Sequence, residues 1–274
     1  GVSGNSVIVK NIIVPQMSEA ELEESIDWHA EEHIPFDIAD VSLDYQIVDS
    51  THDSLHVLMA ACKRDRIANL KQAIQLAGKQ PVIIDIDAFA LQNCYEANYD
   101  IGPDETTALL NIGASTMNIN ILHGTRSVSI RDVNFGGKQY TTLLQKELGL
   151  TFEQAESLKR GEKLTDGAES PLIEPMLEGV SEILALEIHK TFDFYRTTAT
   201  VPSATVQKIL ISGGGSKLQG LHQFLADHFQ IPVEPLNPFQ RIEADAKRVD
   251  PDYLRETGPE MAVAVGLALR GVEG

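Results

Sequence analysis

A chain of 274 residues, 43% hydrophobic and 23% charged, can bury a sizeable core and has room for more than one domain. Its formal net charge of −18 argues against a nucleic-acid-binding or anionic-membrane-binding role, since either needs a basic face. Apolar runs are short, such as Ile12 to Val14, so no bilayer span or signal peptide is predicted.

Val7 to Val14 alternates in polarity and predicts a strand closed by Pro15. Ser18-Glu19-Ala20-Glu21 is a capping box and predicts a helix reaching about His33, where Ile34-Pro35 stops it. Leu22, Ile26 and Ala30 form a narrow apolar face suited to a sheet. Two strands are expected over Val41 to Val48 and Leu55 to Cys62, with a turn-rich Asp49 to Ser54 between them. An amphipathic helix carrying Ile67, Leu70, Ile74 and Leu76 should end at Gly78. The opening 80 residues therefore read strand, helix, strand, strand, helix: a small α+β module.

Val82 to Ile86 reads as a buried strand and Ala88 to Ala97 as a short helix. From Thr106 to Gly137 two hairpins are expected. An apolar strand (Ala108, Leu109, Leu110) enters a small-residue turn, Gly113-Ala114-Ser115-Thr116. A second strand (Met117, Ile119, Ile121) turns at His123-Gly124, and a third (Val128, Ile130, Val133) ends at Gly136-Gly137. Helices follow over Lys138 to Leu148 and Thr151 to Arg160, the latter with Gln154 in the capping-box position. A polar loop runs from Gly161 to Ser170, and a long helix from Ile173 to Arg196 places Leu177, Val180, Ile183, Leu184, Ile188 and Phe192 on one side. Val206 to Ile211 reads as a buried strand entering Ser212-Gly213-Gly214-Gly215, with a helix starting near Ser216. Ile231 to Val233 is a short strand, Asn237 to Arg255 an exposed loop, and Pro259 opens a last helix over Met261 to Leu269. Its Ala262, Ala264, Gly266 and Ala268 suit close packing on another backbone.

Individually, these motifs leave alternatives open. A small-residue turn lets backbone amides approach an anion, so Gly113 to Thr116 is either a phosphate contact or an ordinary hairpin. Ser212 to Gly215 is either a ligand loop or a tight packing element. It is no dinucleotide fingerprint, because the third glycine would fall on Leu218. His29-Ala30-Glu31-Glu32-His33 matches a zinc-peptidase spacing but lacks a third ligand, so a solvated polar helix face is the better reading. Cys62 and Cys94 read as two buried thiols of a reducing compartment.

The order of the motifs resembles the second half of the actin, Hsp70 and sugar-kinase nucleotide-binding fold. The stretches VPQMSEAELEESIDWHAEEHIPFDIADVSLDYQIV, VLMAACKRDRI, VIIDIDAFAL and FGGKQYTTLLQKELGLTFEQAESLK resemble, in order, segments of the PilM family of type IV pilus assembly proteins, relatives of FtsA. The resemblance implies an α/β, actin-like (ribonuclease H-like) fold with an inserted small α+β subdomain of SHS2 type, termed 1C. It implies residues 1–80 as the 1C-like module with the end of a preceding strand region, 81–105 as the rest of a first lobe, 106–257 as a second lobe, and 258–274 as a helix returning to the first.

By the same resemblance the protein is a cytoplasmic scaffold with weak or no hydrolysis, binding ATP with Mg2+ in the full-length parent and weakly or not at all in this chain, which lacks one phosphate loop. It would sit at the inner face of the cytoplasmic membrane through the N-terminal cytoplasmic segment of a PilN-like membrane protein, bound in a groove between module and large lobe. ATP would set lobe closure and closure would tune partner binding. Other pilus platform proteins are further expected partners. Alternatives on the same fold are an FtsA-like or type II secretion-like assembly protein, a sugar- or acetate-kinase-like phosphotransferase, and an interaction module with a degenerate pocket.

The implied site comprises Asn111, Gly113, Ala114, Ser115 and Thr116 at the phosphates. Gly137, Glu156, Lys159, Gly213, Gly214, Gly215 and Lys217 are implied at the ribose and adenosine. The chain departs from the family in two ways. A D-I-G-S phosphate loop expected before the capping-box helix is absent from this sequence, whose Gly1-Val2-Ser3-Gly4 opening reads as part of a longer protein. Asn111 also stands where the family has Asp, which should weaken Mg2+ binding.

Overall fold

The computed structural model describes residues 1–162, 173–199, 205–245 and 247–271; positions 163–170 of the expected polar loop lie outside them. The chain divides into two compact units, Gly1–Ile86 and Asp87–Gly274.

The first unit is a three-stranded antiparallel sheet of order β1-β3-β2 with one helix on it. Its strands are β1 (Val7–Pro15), β2 (Val41–Ser50) and β3 (Ser54–Lys63). Helix α1 (Glu19–Glu31) starts at a reciprocal capping box: the Glu21 amide donates to Ser18 Oγ, and the Ser18 amide donates to Glu21 Oε2 at 2.8 Å. Leu22, Ile26 and Ala30 are buried on the sheet against Ile12, Val14, Leu55, Val57, Met59 and Ala61, the face that their spacing predicts. His29 lies in the last turn of α1, but His33 falls beyond the C-cap Glu32. The two imidazoles therefore do not share a helix face, and no metal-holding group occurs among the described residues.

Helix α2 (Arg64–Leu76) forms as expected, yet it buries no residue, and Leu76 is 81% exposed. Val82 to Ile86 is not the buried strand predicted. Val82, Ile83 and Ile84 are exposed, and only Ile86 pairs, in an isolated parallel bridge with Val2. An apolar run becomes a strand only where a neighbouring backbone offers a ladder, and among the described residues one bridge is all that forms here.

The second unit is built on a five-stranded sheet of order β6-β5-β4-β7-β8. The strands are β4 (Thr106–Ile112), β5 (Met117–His123), β6 (Arg126–Val133), β7 (Lys208–Ser212) and β8 (Val233–Pro235). The two hairpins make β6-β5-β4 antiparallel, and crossovers then add β7 and β8 parallel to β4. Both faces are covered, so Ala108, Leu109, Leu110 and Ile112 of β4 are all buried, whichever face they point to. Ala108, Leu110 and Ile112 pack under helices α4 (Gly137–Leu148), α6 (Ile173–Thr198) and α7 (Leu221–Phe229). Leu109 packs with Leu91, Cys94 and Tyr95 of α3 (Asp87–Asn98) and Ala262 of α8 (Pro251–Leu269). Helix α5 (Phe152–Lys159) carries the expected Thr151/Gln154 capping box and packs on α4.

One predicted helix face and two predicted helix starts differ in the structure. Ile183 of α6 is 54% exposed, so it lies outside the face formed by Val180, Leu184 and Ile188. The helix expected near Ser216 begins at Leu221, because Gly214–Lys217 forms a single 3-10 turn and Gly220 (φ 78°) reverses the chain first. The last helix starts at Pro251 rather than Pro259. Asp250 accepts a hydrogen bond from the Asp252 amide, and Pro251 sits where its missing N–H costs nothing. Pro259 is therefore inside α8. Ala262 and Gly266 supply the close approach to α3, while Ala264 and Ala268 are exposed. A Cβ on Gly266 would lie 1.7 Å from the Ala90 carbonyl oxygen.

Candidate functional site

The β4–β5 turn is closed by the Gly113 amide donating to the Thr116 carbonyl at 2.9 Å, with Ala114 and Ser115 exposed at its tip. It is clamped onto the start of α4. The Gly137 amide donates to the Gly113 carbonyl at 2.9 Å, and the Lys138 amide to the Ala114 carbonyl at 2.8 Å. Two of the orphan amides of a helix start are thus satisfied by the turn rather than left for an anion. Contact is this close because position 136 has no side chain: a Cβ there would lie 2.4 Å from the Gly113 oxygen.

Glu156 and Lys159, one turn apart on α5, form an ion pair at 2.6 Å that reaches back to α4. Lys159 Nζ also donates to Thr141 Oγ1 at 3.1 Å and to the Gly137 carbonyl at 3.4 Å, and Thr141 Oγ1 donates to Glu156. Burial raises the Glu156 carboxyl, but hydrogen bonds from Lys159 and Thr141 outweigh it and hold the group below its ordinary 4.5. Thr141 carries no motif in the sequence. Its only signal is its place one helical turn after Gly137.

The glycine loop after β7 lies against the end of β4. A Cβ on Gly213 would lie 2.5 Å from the Ile112 oxygen and 2.6 Å from Asn111 Oδ1; one on Gly215 would lie 2.5 Å from Ile112 Cγ2; Gly214 has nothing within 4 Å. Gly213 also has φ 81°, which favours glycine. Its amide donates to the Pro259 carbonyl at 2.8 Å, tying the loop to α8. The end of α5 approaches the same segment, with Gly161 against Gln219.

Contacts therefore connect Asn111, the Gly113–Thr116 turn, Gly137, Glu156, Lys159, Gly213 and Gly215. Lys217 instead pairs with Glu260 of α8 at 3.0 Å. Asn111 sits in a polar row across the sheet, donating from Nδ2 to Asn118 Oδ1 at 3.0 Å. A separate pocket of 550 Å³ lies between Pro235–Ala244 and α8, lined by Leu236, Phe239, Ile242, Val249, Leu254 and Pro259, and none of the site residues implied by the sequence lines it.

The groups at the turn suit a phosphate or ribose better than a metal. Lys159 supplies a cation, and glycines at 113, 137, 213 and 215 permit close backbone approach. For magnesium, Asn111 offers a neutral amide, the Glu156 carboxylate is engaged by Lys159 and Thr141, and no cluster of three acidic, His or Cys groups occurs among the described residues.

A family model described as type IV pilus assembly protein PilM matches residues 1–272. A solved structure of a PilM-PilN type IV pilus biogenesis complex is 32% identical, covering 99% of this chain and 78% of that chain, with a TM-score of 0.85. MreB5 of Spiroplasma citri bound to ADP is 15% identical over 76% of this chain and 65% of its own, with a TM-score of 0.51. The AMPPNP-bound form of the same protein gives 0.50, and both likenesses show an actin-like fold.

Proposed function

The chain belongs to the PilM family of type IV pilus assembly proteins, and on that premise we propose that it is an adenine-nucleotide-binding scaffold that docks a PilN-like membrane protein. The observation that carries the partner is the 32% identity, over 99% of this chain, to a protein solved as a PilM-PilN complex. The partner segment would be the short cytoplasmic N-terminus of the PilN-like protein. That contact would hold this chain at the inner face of the cytoplasmic membrane. No described helix is long and apolar enough to cross a membrane, so attachment through a partner is consistent with the fold.

For the nucleotide, the support is the convergence of the β4–β5 turn, the Glu156/Lys159/Thr141 cluster and the glycine loop. We assign phosphates to Gly113–Thr116 and ribose or base to Gly137, Glu156, Lys159 and Gly213–Gly215. Lys217 is left out, because its charge is engaged by Glu260. ATP with Mg2+ is the proposed ligand, the ion being held by the phosphates and water rather than by a protein cage. A ligand that favours one state of the protein shifts it by no more than its differential affinity, so nucleotide occupancy acts by tuning partner affinity.

A second reading, a partner-binding module without nucleotide, is favoured by one observation: the first amides of α4 and the Lys159 ammonium are already engaged internally. Calorimetric titration separates the two. ATP and a PilN-like N-terminal peptide are each titrated alone and then together. Micromolar-range ATP binding that changes peptide affinity by about fivefold or more supports the scaffold reading. Equal peptide affinity with and without ATP sinks the coupling, and no ATP binding leaves the module reading.

A further inference from the structure

Asn111 is one member of a row that crosses four strands. In register, Asn111 of β4 faces Asn118 of β5 and Ser212 of β7, and Asn118 faces Asp132 of β6. Asn111 Nδ2 donates to Asn118 Oδ1 at 3.0 Å, and Asn118 Nδ2 donates to Asp132 Oδ1 at 2.6 Å. Asn118 is 3% exposed, so its amide cannot exchange these partners for water.

A carboxamide has one donor end and one acceptor end, whereas an ionised carboxylate only accepts. Asp132 therefore fixes the direction of the whole row. It draws the Asn118 amide toward β6 and leaves the Asn118 oxygen facing β4. Position 111 must then offer an N–H, which turns its own oxygen toward Gly213, where it lies 2.6 Å from the Cβ position that a side chain would occupy. An Asp at 111 would set carboxylate against the Asn118 oxygen. Flipping Asn118 would cure that end but set its oxygen against Asp132. The row tolerates an acid at one end only.

We infer that Asp132 and Asn118 are positioning residues that fix Asn111 as a neutral, oxygen-forward acceptor beside the glycine loop, so that the acid of this row is held on β6 and kept out of the site. This accounts for Asn at 111 by hydrogen-bond polarity. It also rests, for its consequence, on the nucleotide reading: a site presenting an amide oxygen instead of a carboxylate holds nucleotide with little dependence on magnesium.

The test is a four-member cycle of the parent, Asn111→Asp, Asp132→Asn and N111D/D132N, read by thermal unfolding. N111D alone should lower the melting temperature by about 3–6 °C. The double variant, whose row runs in the opposite direction, should recover at least half of that loss. In an Asn118→Ala background the N111D penalty should fall below about 1 °C. Additive effects in the cycle, or an unfolded double variant, would overturn the inference. The second readout is ATP affinity with magnesium or with EDTA. The parent should change by less than about threefold and N111D/D132N by about tenfold or more. Strong magnesium dependence in the parent overturns the positioning role. If no variant binds ATP, the nucleotide reading fails with its metal consequence, while the unfolding cycle still decides the row.

Discussion

Gly136→Ala is the sharpest probe of whether the β4–β5 turn is a built element or an ordinary hairpin. Gly136 has φ −174°, extended backbone open to any residue, so conformational strain plays no part. What changes is space. The added Cβ would sit 2.4 Å from the Gly113 oxygen and 2.7 Å from the Ala114 carbonyl carbon, both backbone atoms of the turn. The turn must then move off α4 by close to an ångström, which breaks or stretches the bonds from the Gly137 and Lys138 amides. Losing two such bonds costs about 2 kcal/mol, and overpacking adds about 1 kcal/mol. Against this, alanine stiffens the unfolded chain and returns about 0.4–1 kcal/mol. The net loss is about 2–3 kcal/mol, or a fall of about 5–10 °C in the melting transition of the second unit. Differential scanning calorimetry reads that transition, and titration of the same variant with ATP reads the site. A transition within about 0.5 kcal/mol of the parent, in the range of ordinary surface changes, would show that the turn is not clamped to α4.

The glycine loop gives a graded series: Gly213→Ala and Gly215→Ala should each lose stability in thermal unfolding, while Gly214→Ala, with nothing within 4 Å of its Cβ, should change little. Gly266→Ala drives a methyl into the Ala90 carbonyl at 1.7 Å and should lose about 2 kcal/mol even after the helix-propensity gain, whereas Gly179→Ala on the open face of α6 should gain up to about 1 kcal/mol. Lys159→Met should weaken ATP binding by about tenfold or more in calorimetry, because it removes the cation that reaches Gly137. For Glu105 and Glu156, burial raises the carboxyls but bonds from Lys208 and Lys159 lower them further, so both sit below the ordinary 4.5 when folded. Their stabilisation is present above 4.5 and is lost as pH falls through the folded values; Glu156→Gln should flatten that acid limb in pH-dependent denaturation.

The parts of the fold legible in the sequence are those fixed by chemistry within a few residues. Ser18 and Glu21, or Thr151 and Gln154, set a helix start because side chain and amide lie three residues apart, and both boxes form. The β4 to β6 hairpins were readable because alternation and small turn residues agree. What escaped depends on partners remote in sequence. Val82 to Ile84 has strand composition, but a strand needs a neighbour. Ile183 has helical spacing, but which flank of α6 faces the sheet is decided by tertiary packing. The seven-residue separation of Asn111 and Asn118 gives no sign of a bond until the register of β4 on β5 is known.

Pro259 is the instructive misreading. A proline in a helical pattern is ordinarily read as a boundary, because it removes an N–H and crowds the carbonyl four residues back. The same sequence held a stronger signal upstream, Asp250-Pro251, a capping acid followed by a proline at the first helical position. Two start signals competed, and the cap won because its hydrogen bond forms locally. The interior proline then gains a tertiary role. Its carbonyl accepts the Gly213 amide at 2.8 Å, so the helix joins the glycine loop at the point where the α8 pattern is irregular. Gly266, two turns later, brings α8 onto α3. A helix that would have started at Pro259 could offer the same carbonyl, but it would lose the segment from Pro251 to Gly258 that forms one wall of the 550 Å³ pocket. The irregular residue thus marks where the site meets the helix behind it, and Pro259→Ala should restore a regular α8 while lengthening the Gly213 contact. Amide exchange at Gly213 in the parent and the variant measures this directly: faster exchange is the expected result, and an unchanged rate would show that the helix contributes nothing to holding the loop.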